Sequence, residues 1–333
     1  MSADVIEART MTSLEAINAA LFEAMRKDPK VLVFGEDVAD REGGGVTGAT
    51  RGLSAEFGDL RVRTTPIAEQ AIMGAAIGAA MAGFKPVAEI MLMNFMTVAM
   101  DMVFNHAAKL RFMSGGQSQV PITIRTMTGA GWQVAGQHSD HLEGWFCHAA
   151  GIKVVAPSSP ADYKGLLLSC IDDPDPCIFI ENARTLMTKG EVAPDQGPIP
   201  LGKARIVRPG ADVTIITYSA TTATCVEAAD RLADAGIQAE IIDLRTISPW
   251  DKDTVLESVS KTGRAVVVHE ALRYFGPGAE ITATIQEELF GKMKAPVKRL
   301  GGPYCAVPFS KVLETGFLVQ ADDILTCVKA LCG

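Results

Sequence analysis

A paired-cysteine framework is missing from this 333-residue sequence: its seven cysteines are odd in number, scattered, and free of any CxxC pair. That excludes a disulfide scaffold and a cysteine-built structural zinc site, and a reducing compartment is expected. Positive charge is also scarce. With 31 Lys and Arg against 39 Asp and Glu the net charge is -8 and the pI is near 5.3, which argues against a nucleic-acid partner, because phosphate binding needs a basic surface. No apolar run approaches the roughly 20 residues that span a bilayer, and Met1 to Arg9 lack the apolar core of a signal peptide. A soluble protein without membrane attachment is expected, in the cytoplasm or, as a processed form, in the mitochondrial matrix. No internal repeat or low-complexity tract suggests a solenoid. What the chain has in plenty is apolar residues, 48% of the total, enough for about two domains with full cores.

Their spacing alternates between strand and helix. Thr12-x-x-Glu15 forms a capping box ahead of Leu14, Ile17, Leu21 and Met25 at helical spacing, and Val31 to Phe34 reads as a short buried strand. A helix from about Glu69 to Ala82, a strand Pro86 to Met91, a helix Thr97 to Phe112 and a strand Ile122 to Thr126 continue the pattern. After a short helix near Trp145 come strand Lys153 to Val155, a helix opened by Ser158, Ser159 and Pro160, and strand Cys177 to Glu181. Such alternation predicts a mostly parallel sheet flanked by helices. The pattern fails among the glycines and prolines beyond Thr185 and resumes with Val213 to Tyr218, Ala239 to Leu244, Ala265 to His269 and a helix from Gly278. The fold class expected is therefore α/β in two domains, residues 1–188 and 203–333, joined by a linker at 189–202.

The helix from Glu69 is almost without bulk, since Gly74, Ala75, Ala76, Gly78, Ala79, Ala80, Ala82 and Gly83 crowd into it. Glycine costs about 1 kcal/mol relative to alanine inside a helix, so close packing must offset it, either against its own sheet or across a subunit interface. Gly43 to Gly48 matches the letters of a dinucleotide fingerprint but opens no helix, so it reads as a flexible loop. His138, Asp140, His141 and His148 offer metal-ligand chemistry, yet their spacing equally fits a polar loop followed by surface and capping positions. Two acids stand out. Glu69 lies in a helix's first turn, where an acid also suits the helix dipole, and Glu36 follows the carboxyl end of a strand, where parallel sheets place their ligand crevices.

Thr65-Pro66-Ile67-Ala68-Glu69, the run Gly74 to Gly83, Met113-Ser114-Gly115-Gly116, Gly136-Gln137-His138-Ser139, Lys153 to Pro157, Ile241 to Thr246 and Ala295-Pro296-Val297 occur in one order over most of the chain. In these the sequence resembles the β subunit of the E1 component of 2-oxo acid dehydrogenase complexes, a family of pyruvate, branched-chain and acetoin dehydrogenases that use thiamine diphosphate and share the transketolase fold. The resemblance implies a pyrimidine-binding domain followed by a transketolase C-terminal-like domain. It makes Glu69 the acid that hydrogen-bonds N1′ of the aminopyrimidine, Phe95 the aromatic packed on that ring, and Ile67 an apolar contact beside it. His138 becomes the histidine that handles protons during decarboxylation or transfer to lipoyl, and Glu36 part of a carboxylate and water network. A structural potassium ion on backbone carbonyls would map to Ile122, Cys170, Asp173 and Asp175.

No Gly-Asp-Gly followed by a downstream Asn occurs, and that motif supplies the family's Mg²⁺ and diphosphate ligands. The resemblance therefore implies an α subunit that holds Mg²⁺ and the diphosphate in an α₂β₂ tetramer, and a lipoyl-bearing E2 acyltransferase as acceptor. Phe112 in place of the usual Tyr, and His138-Ser139-Asp140-His141 in place of His-Ser-Gln-Ser, depart from the family pattern. Two other classes compete: a non-catalytic subunit that docks E1 onto the E2 core, and a self-sufficient transketolase-like enzyme.

Overall fold

The computed structural model describes residues 8–333; Met1 to Glu7, where most of the leader reading falls, lie outside the described residues. Two compact units result, one running to Met127 together with Ala149–Leu201, the other Thr128–His148 with Gly202–Gly333.

The first unit begins with strand β1 (Arg9–Thr12) and helix α1 (Ser13–Lys27). The Thr12 hydroxyl accepts from Glu15 N at 3.1 Å while the Glu15 carboxylate accepts from Thr12 N at 2.7 Å, the reciprocal cap read from the sequence. Ala16, Ile17, Ala20, Leu21, Ala24 and Met25 line its buried face, and Pro29 follows the helix end. Next come β2 (Val31–Gly35), α2 (Leu53–Phe57), β3 (Val62–Thr64), α3 (Glu69–Met81), β4 (Lys85–Leu92), α4 (Leu110–Met113) and β5 (Thr123–Thr128). A short helix, α5 (Glu143–Cys147), belongs to the second unit. The first unit then closes with β6 (Lys153–Val155), α6 (Pro160–Asp172), β7 (Cys177–Asn182) and β8 (Lys189–Val192). Ser159 caps α6 and Pro160 opens it. The sheet runs β6-β7-β5-β4-β2-β3, with parallel pairing of β2 to β3 and β4, of β4 to β5, and of β6 to β7. Its core joins the apolar faces of α1 and α6 to Val31, Val33, Val87 and Phe179.

Two sequence expectations are revised here. The helix expected over 97–112 is broken into a 3₁₀ turn (Met93–Thr97), a π-helical stretch (Met102–Ala107) and α4. The Thr97 hydroxyl takes the Asn94 carbonyl, the Ala108 N–H reaches back to the Val103 carbonyl, and Gly151 crowds the same turn, since a Cβ there would lie 2.1 Å from the Ala108 oxygen. The linker expected from 189 begins instead as β8, which pairs antiparallel with β1 from Arg9↔Val192 to Thr12↔Lys189. Short and polar at 189–191, it carries little strand signal, and its pairing supplies what its composition does not.

The second unit holds β9 (Arg205–Arg208), β10 (Val213–Thr217), α7 (Thr221–Asp234), β11 (Ala239–Asp243), β12 (Thr246–Ser248), α8 (Lys252–Thr262), β13 (Ala265–Leu272), α9 (Gly278–Leu289), β14 (Lys298–Gly302), α10 (Lys311–Phe317) and α11 (Ala321–Cys332). Its sheet runs β14-β13-β10-β11-β9, with β9 antiparallel on β11 and the other pairs parallel. Val213, Ile215, Ile241, Val266 and Val268 meet α7 and α11 through Cys225, Ala229, Leu232, Ile324 and Val328. Among the described residues no helix is long and apolar enough to cross a membrane.

Candidate active site

In the first unit the carboxyl ends of the central strands carry acids. Register sets Gly35 of β2 opposite Glu89 of β4, and Glu89 opposite Arg125 of β5. Gly35 is glycine for a steric reason: a Cβ there would come within 2.9 Å of both Glu89 Cβ and Val38 Cγ1. The Arg125 guanidinium, 1% exposed, donates to Glu89 at 2.7 Å and to Glu181 of β7 at 2.7 Å. Burial opposes the charge on Arg125, but the two carboxylates win and raise its pKa. Burial and the Glu89 charge push Glu181 up against the pull of Arg125.

Glu36 follows β2 and is 8% exposed; Glu69, in the first turn of α3, is 9% exposed. Thr65 N donates to the Gly35 carbonyl at 2.9 Å, which lays the segment leading to Glu69 along the end of β2. The two acids feel each other: burial first, then the charge of Glu69, then Asp37 and Glu89, raise the Glu36 pKa above the ordinary carboxylate range. Burial and these neighbouring charges thus favour the protonated form of Glu36.

The glycine-rich loop after β2 is more ordered than its letters suggest. Gly45 N donates to the Asp37 carbonyl at 2.7 Å and Thr50 N to the Gly44 carbonyl at 3.0 Å. Gly43, Gly44, Gly45 and Gly48 all have positive φ, and a Cβ on Gly45 would sit 3.1 Å from Glu89 Oε1. Phe95 lies in the 3₁₀ turn after β4, half-buried against the core. Ile67 is 82% exposed, so an apolar contact from it is made on an open face of this chain.

Of the backbone potassium candidates, Cys170, Asp173 and Asp175 lie around the turn from α6 to β7, and Ile122 is tied to the start of β7. Cys177 N donates to the Ile122 carbonyl at 2.9 Å, and Asp173 N to the Cys170 carbonyl at 3.4 Å. The nearby carboxylates are already matched, Asp173 by Lys153 at 2.6 Å and Asp175 by Lys153 at 3.2 Å and Arg111 at 2.5 Å. A cation here would use carbonyls rather than carboxylates. Among the described residues no group of three or more His, Cys, Asp or Glu side chains is placed to hold a metal.

His138 belongs to the second unit, half-buried in the loop between β5 and α5, its N–H donating to the Ala135 carbonyl at 3.2 Å. His148 is exposed at the end of α5, but His141 does not take the surface position expected for it. Its side chain is 5% exposed, with Nδ1 3.6 Å from Glu143 and Nε2 3.5 Å from Glu270. Burial alone would discharge the ring; Glu270 and Glu143 reverse that and hold its pKa up at about 10. Tyr218 donates to the other Glu143 oxygen at 2.8 Å. His269, stacked on Tyr218, is kept neutral by burial, its pKa brought down to about 4.

The sequence reading missed Arg125, Glu181 and the acids Glu143 and Glu270 that flank His141. Arg125 did leave a signal: a lone charge inside the expected strand Ile122 to Thr126, where a buried charge needs partners.

The transketolase pyrimidine-binding domain family matches residues 9–189 and the transketolase C-terminal domain family residues 202–324. The chain is 46% identical to the acetoin:2,6-dichlorophenolindophenol oxidoreductase subunit beta of Cupriavidus necator, over 97% of each chain. It is 44% identical to the pyruvate dehydrogenase E1 component subunit beta of Bacillus subtilis, over 96% of this chain and 98% of that one. Among solved structures, a split-gene transketolase in an inactive β4 tetramer superposes with TM-score 0.79 at 22% identity, over 97% of this chain and 98% of that one.

Proposed function

This chain belongs to the transketolase-like family that includes the β subunits of pyruvate dehydrogenase E1 components and acetoin oxidoreductases, and we propose that it is the half of such an E1 that binds the aminopyrimidine end of thiamine diphosphate. The donor set fits that group. Glu69 offers a buried carboxylate at the start of a helix, and the buried Glu36 feels its charge, which suits a heterocyclic nitrogen that must share a proton. Thiamine diphosphate, when bound, supplies an acidic ring C–H beside a cationic nitrogen that accepts electrons as a 2-oxo acid loses CO₂ or acetoin is cleaved.

Within that reading Glu69 shares a proton with N1′ and fixes the ring's tautomer. Glu36, its pKa raised by burial and by the charge of Glu69, belongs to a carboxylate and water network beside it. Phe95 packs against the ring from the turn after β4, and Ile67 adds an apolar contact. His138 moves protons as the acyl group passes to a lipoyl acceptor, a step suited to imidazole near neutral pH. The diphosphate and its Mg²⁺ fall to an α subunit in an α₂β₂ tetramer, because this acidic chain carries no Gly-Asp-Gly motif for them. A lipoyl-bearing E2 is the acyl acceptor, the backbone of Ile122, Cys170, Asp173 and Asp175 holds potassium, and the compartment is the cytoplasm. The domains of this reading are 1–188 and 203–333.

The observation that carries the proposal is the buried pair Glu36 and Glu69. Its test is exchange of the cofactor's C2 proton in the assembled α/β enzyme: Glu69→Gln should slow it by about 100-fold or more. Wild-type exchange in that variant would point instead to a β subunit that only docks E1 onto its E2 core. Tight cofactor and Mg²⁺ binding by the isolated chain would favour a self-sufficient transketolase-like enzyme.

A further inference from the structure

The loop that carries His138 is unusually constrained. Gly129 and Gly131 have φ of 117° and 123°, and two residues with side chains, Gln133 and Ala135, sit at 58° and 61°. A non-glycine residue held in left-handed conformation is strained and persists only where the surroundings over-determine it.

Within the second unit those surroundings are explicit. Glu314 of α10 is fully buried, and its Oε1 accepts from Gly131 N at 2.7 Å and from Gln133 N at 3.0 Å. A single carboxyl oxygen thus fixes two backbone amides of the loop entrance. Ala130 packs with Val307 and Phe317, and Gly136 approaches so closely that a Cβ there would lie 3.1 Å from Ala306 Cβ. At the exit, the Thr128 hydroxyl donates to the Asp140 carbonyl at 2.7 Å, tying the two ends of the loop together. The next residue, His141, is seated between Glu143 and Glu270. His138 lies between these two anchors.

We propose that Glu314 and the His141–Glu270 ion pair are positioning residues for His138, two buried anchors, one through backbone hydrogen bonds and one ionic, that hold the loop over 129–140 in one conformation. The inference rests on the reading of His138 as the proton-handling residue of acyl transfer. Neither anchor is assigned contact with substrate or cofactor; each acts through the backbone that presents His138. The chemistry of each anchor sets what a substitution does. Glu314→Gln keeps an oxygen that accepts from the two amides, whereas Glu314→Leu leaves them unpaired in an apolar cluster. His141→Gln leaves Glu143 and Glu270 without their cation, and Glu270→Gln added to it removes one of the stranded charges.

The test is a double-mutant cycle in the assembled α/β enzyme with a lipoyl domain as acceptor, crossing Glu314→Leu, and separately His141→Gln, with His138→Asn. Acyl transfer should fall at least tenfold in Glu314→Leu and in His141→Gln, with the KM for the 2-oxo acid and the C2-proton exchange rate within twofold of wild type. Glu314→Gln should recover most of the loss. In the His138→Asn background neither anchor variant should cost anything further. Equal losses in both backgrounds, or a parallel fall of C2 exchange and acyl transfer, would make the anchors merely structural and overturn the proposal. If Glu314→Leu does not fold, the His141→Gln/Glu270→Gln pair decides by the same criterion. Full acyl transfer in His138→Asn alone would instead remove the reading on which the inference rests, a result distinct from an active Glu314→Leu beside an inactive His138→Asn.

Discussion

Arg125 and Glu89 stand directly opposite in the β4–β5 register, and their side chains close that pairing with a 2.7 Å ion pair while Arg125 is 1% exposed. The same guanidinium reaches Glu181, so one buried cation serves a buried acid and a partly buried one on the two neighbouring strands. Replacing Arg125 with Met removes the cation and leaves both acids behind. Urea unfolding at pH 7 should show a loss of about 3 to 5 kcal/mol. Stranded carboxylates have raised pKa values, and stability tied to them is lost as pH rises, so the deficit should be smaller at pH 5 than at pH 8. An equal deficit at both would contradict the assignment.

Glu36 owes part of its raised pKa to the charge of Glu69. In Glu69→Gln that repulsion is gone while the burial remains, so the Glu36 carboxyl should titrate lower than in wild type but still above an ordinary glutamate. Difference infrared spectroscopy across a pH series reads this directly, in the C=O band of the protonated acid. A Glu36 band indifferent to residue 69 would mean that the two side chains do not share an environment.

His141 gives a stability that depends on pH in a definite direction. Its pKa rises from an ordinary 6.5 to about 10 on folding, so its contribution is complete below about pH 6.5, declines as pH rises, and is gone above about pH 10. The slope over that window is about 1.4 kcal/mol per pH unit for a single group. The advantage of wild type over His141→Gln in unfolding free energy should therefore shrink steadily from pH 7 to pH 10. A constant gap would show that the buried ring is not held as a cation.

Gly78 lies within α3, and a Cβ there would meet nothing within 4 Å. Gly78→Ala should accordingly stabilise the isolated chain by about 0.5 to 1 kcal/mol, through helix propensity alone. If the small-residue face of α3 is where an α subunit packs, the same methyl group should weaken assembly, seen as a raised dissociation constant by analytical ultracentrifugation beside a raised melting temperature of the chain. Tighter or unchanged assembly would remove α3 from that interface.

Much of the fold was legible because it is local. The reciprocal cap of Thr12 and Glu15, the Ser159-Pro160 helix start and the apolar strand runs each depend on residues within a few positions of one another, and each appears where the pattern put it. The helix expected over 97–112 failed because Gly151, distant in sequence, packs against Ala108, and no periodicity encodes that approach. Strand β8 was missed for a similar reason: its residues have little strand character and β1 supplies the pairing. In the candidate site, Glu36 and Glu69 could be named from their places at a strand end and a helix start, yet nothing in either position says that one feels the charge of the other.

The chain by itself determined its α/β alternation, its acidic balance and the order of motifs that identifies its family, since these follow from composition and short-range spacing. Only the tertiary structure decided which charges are buried together. Glu143 and Glu270 are remote in sequence, and Glu314 is more than 180 positions from the amides it holds; the energy of a buried charge depends on what surrounds it, and those surroundings exist only once the chain has folded.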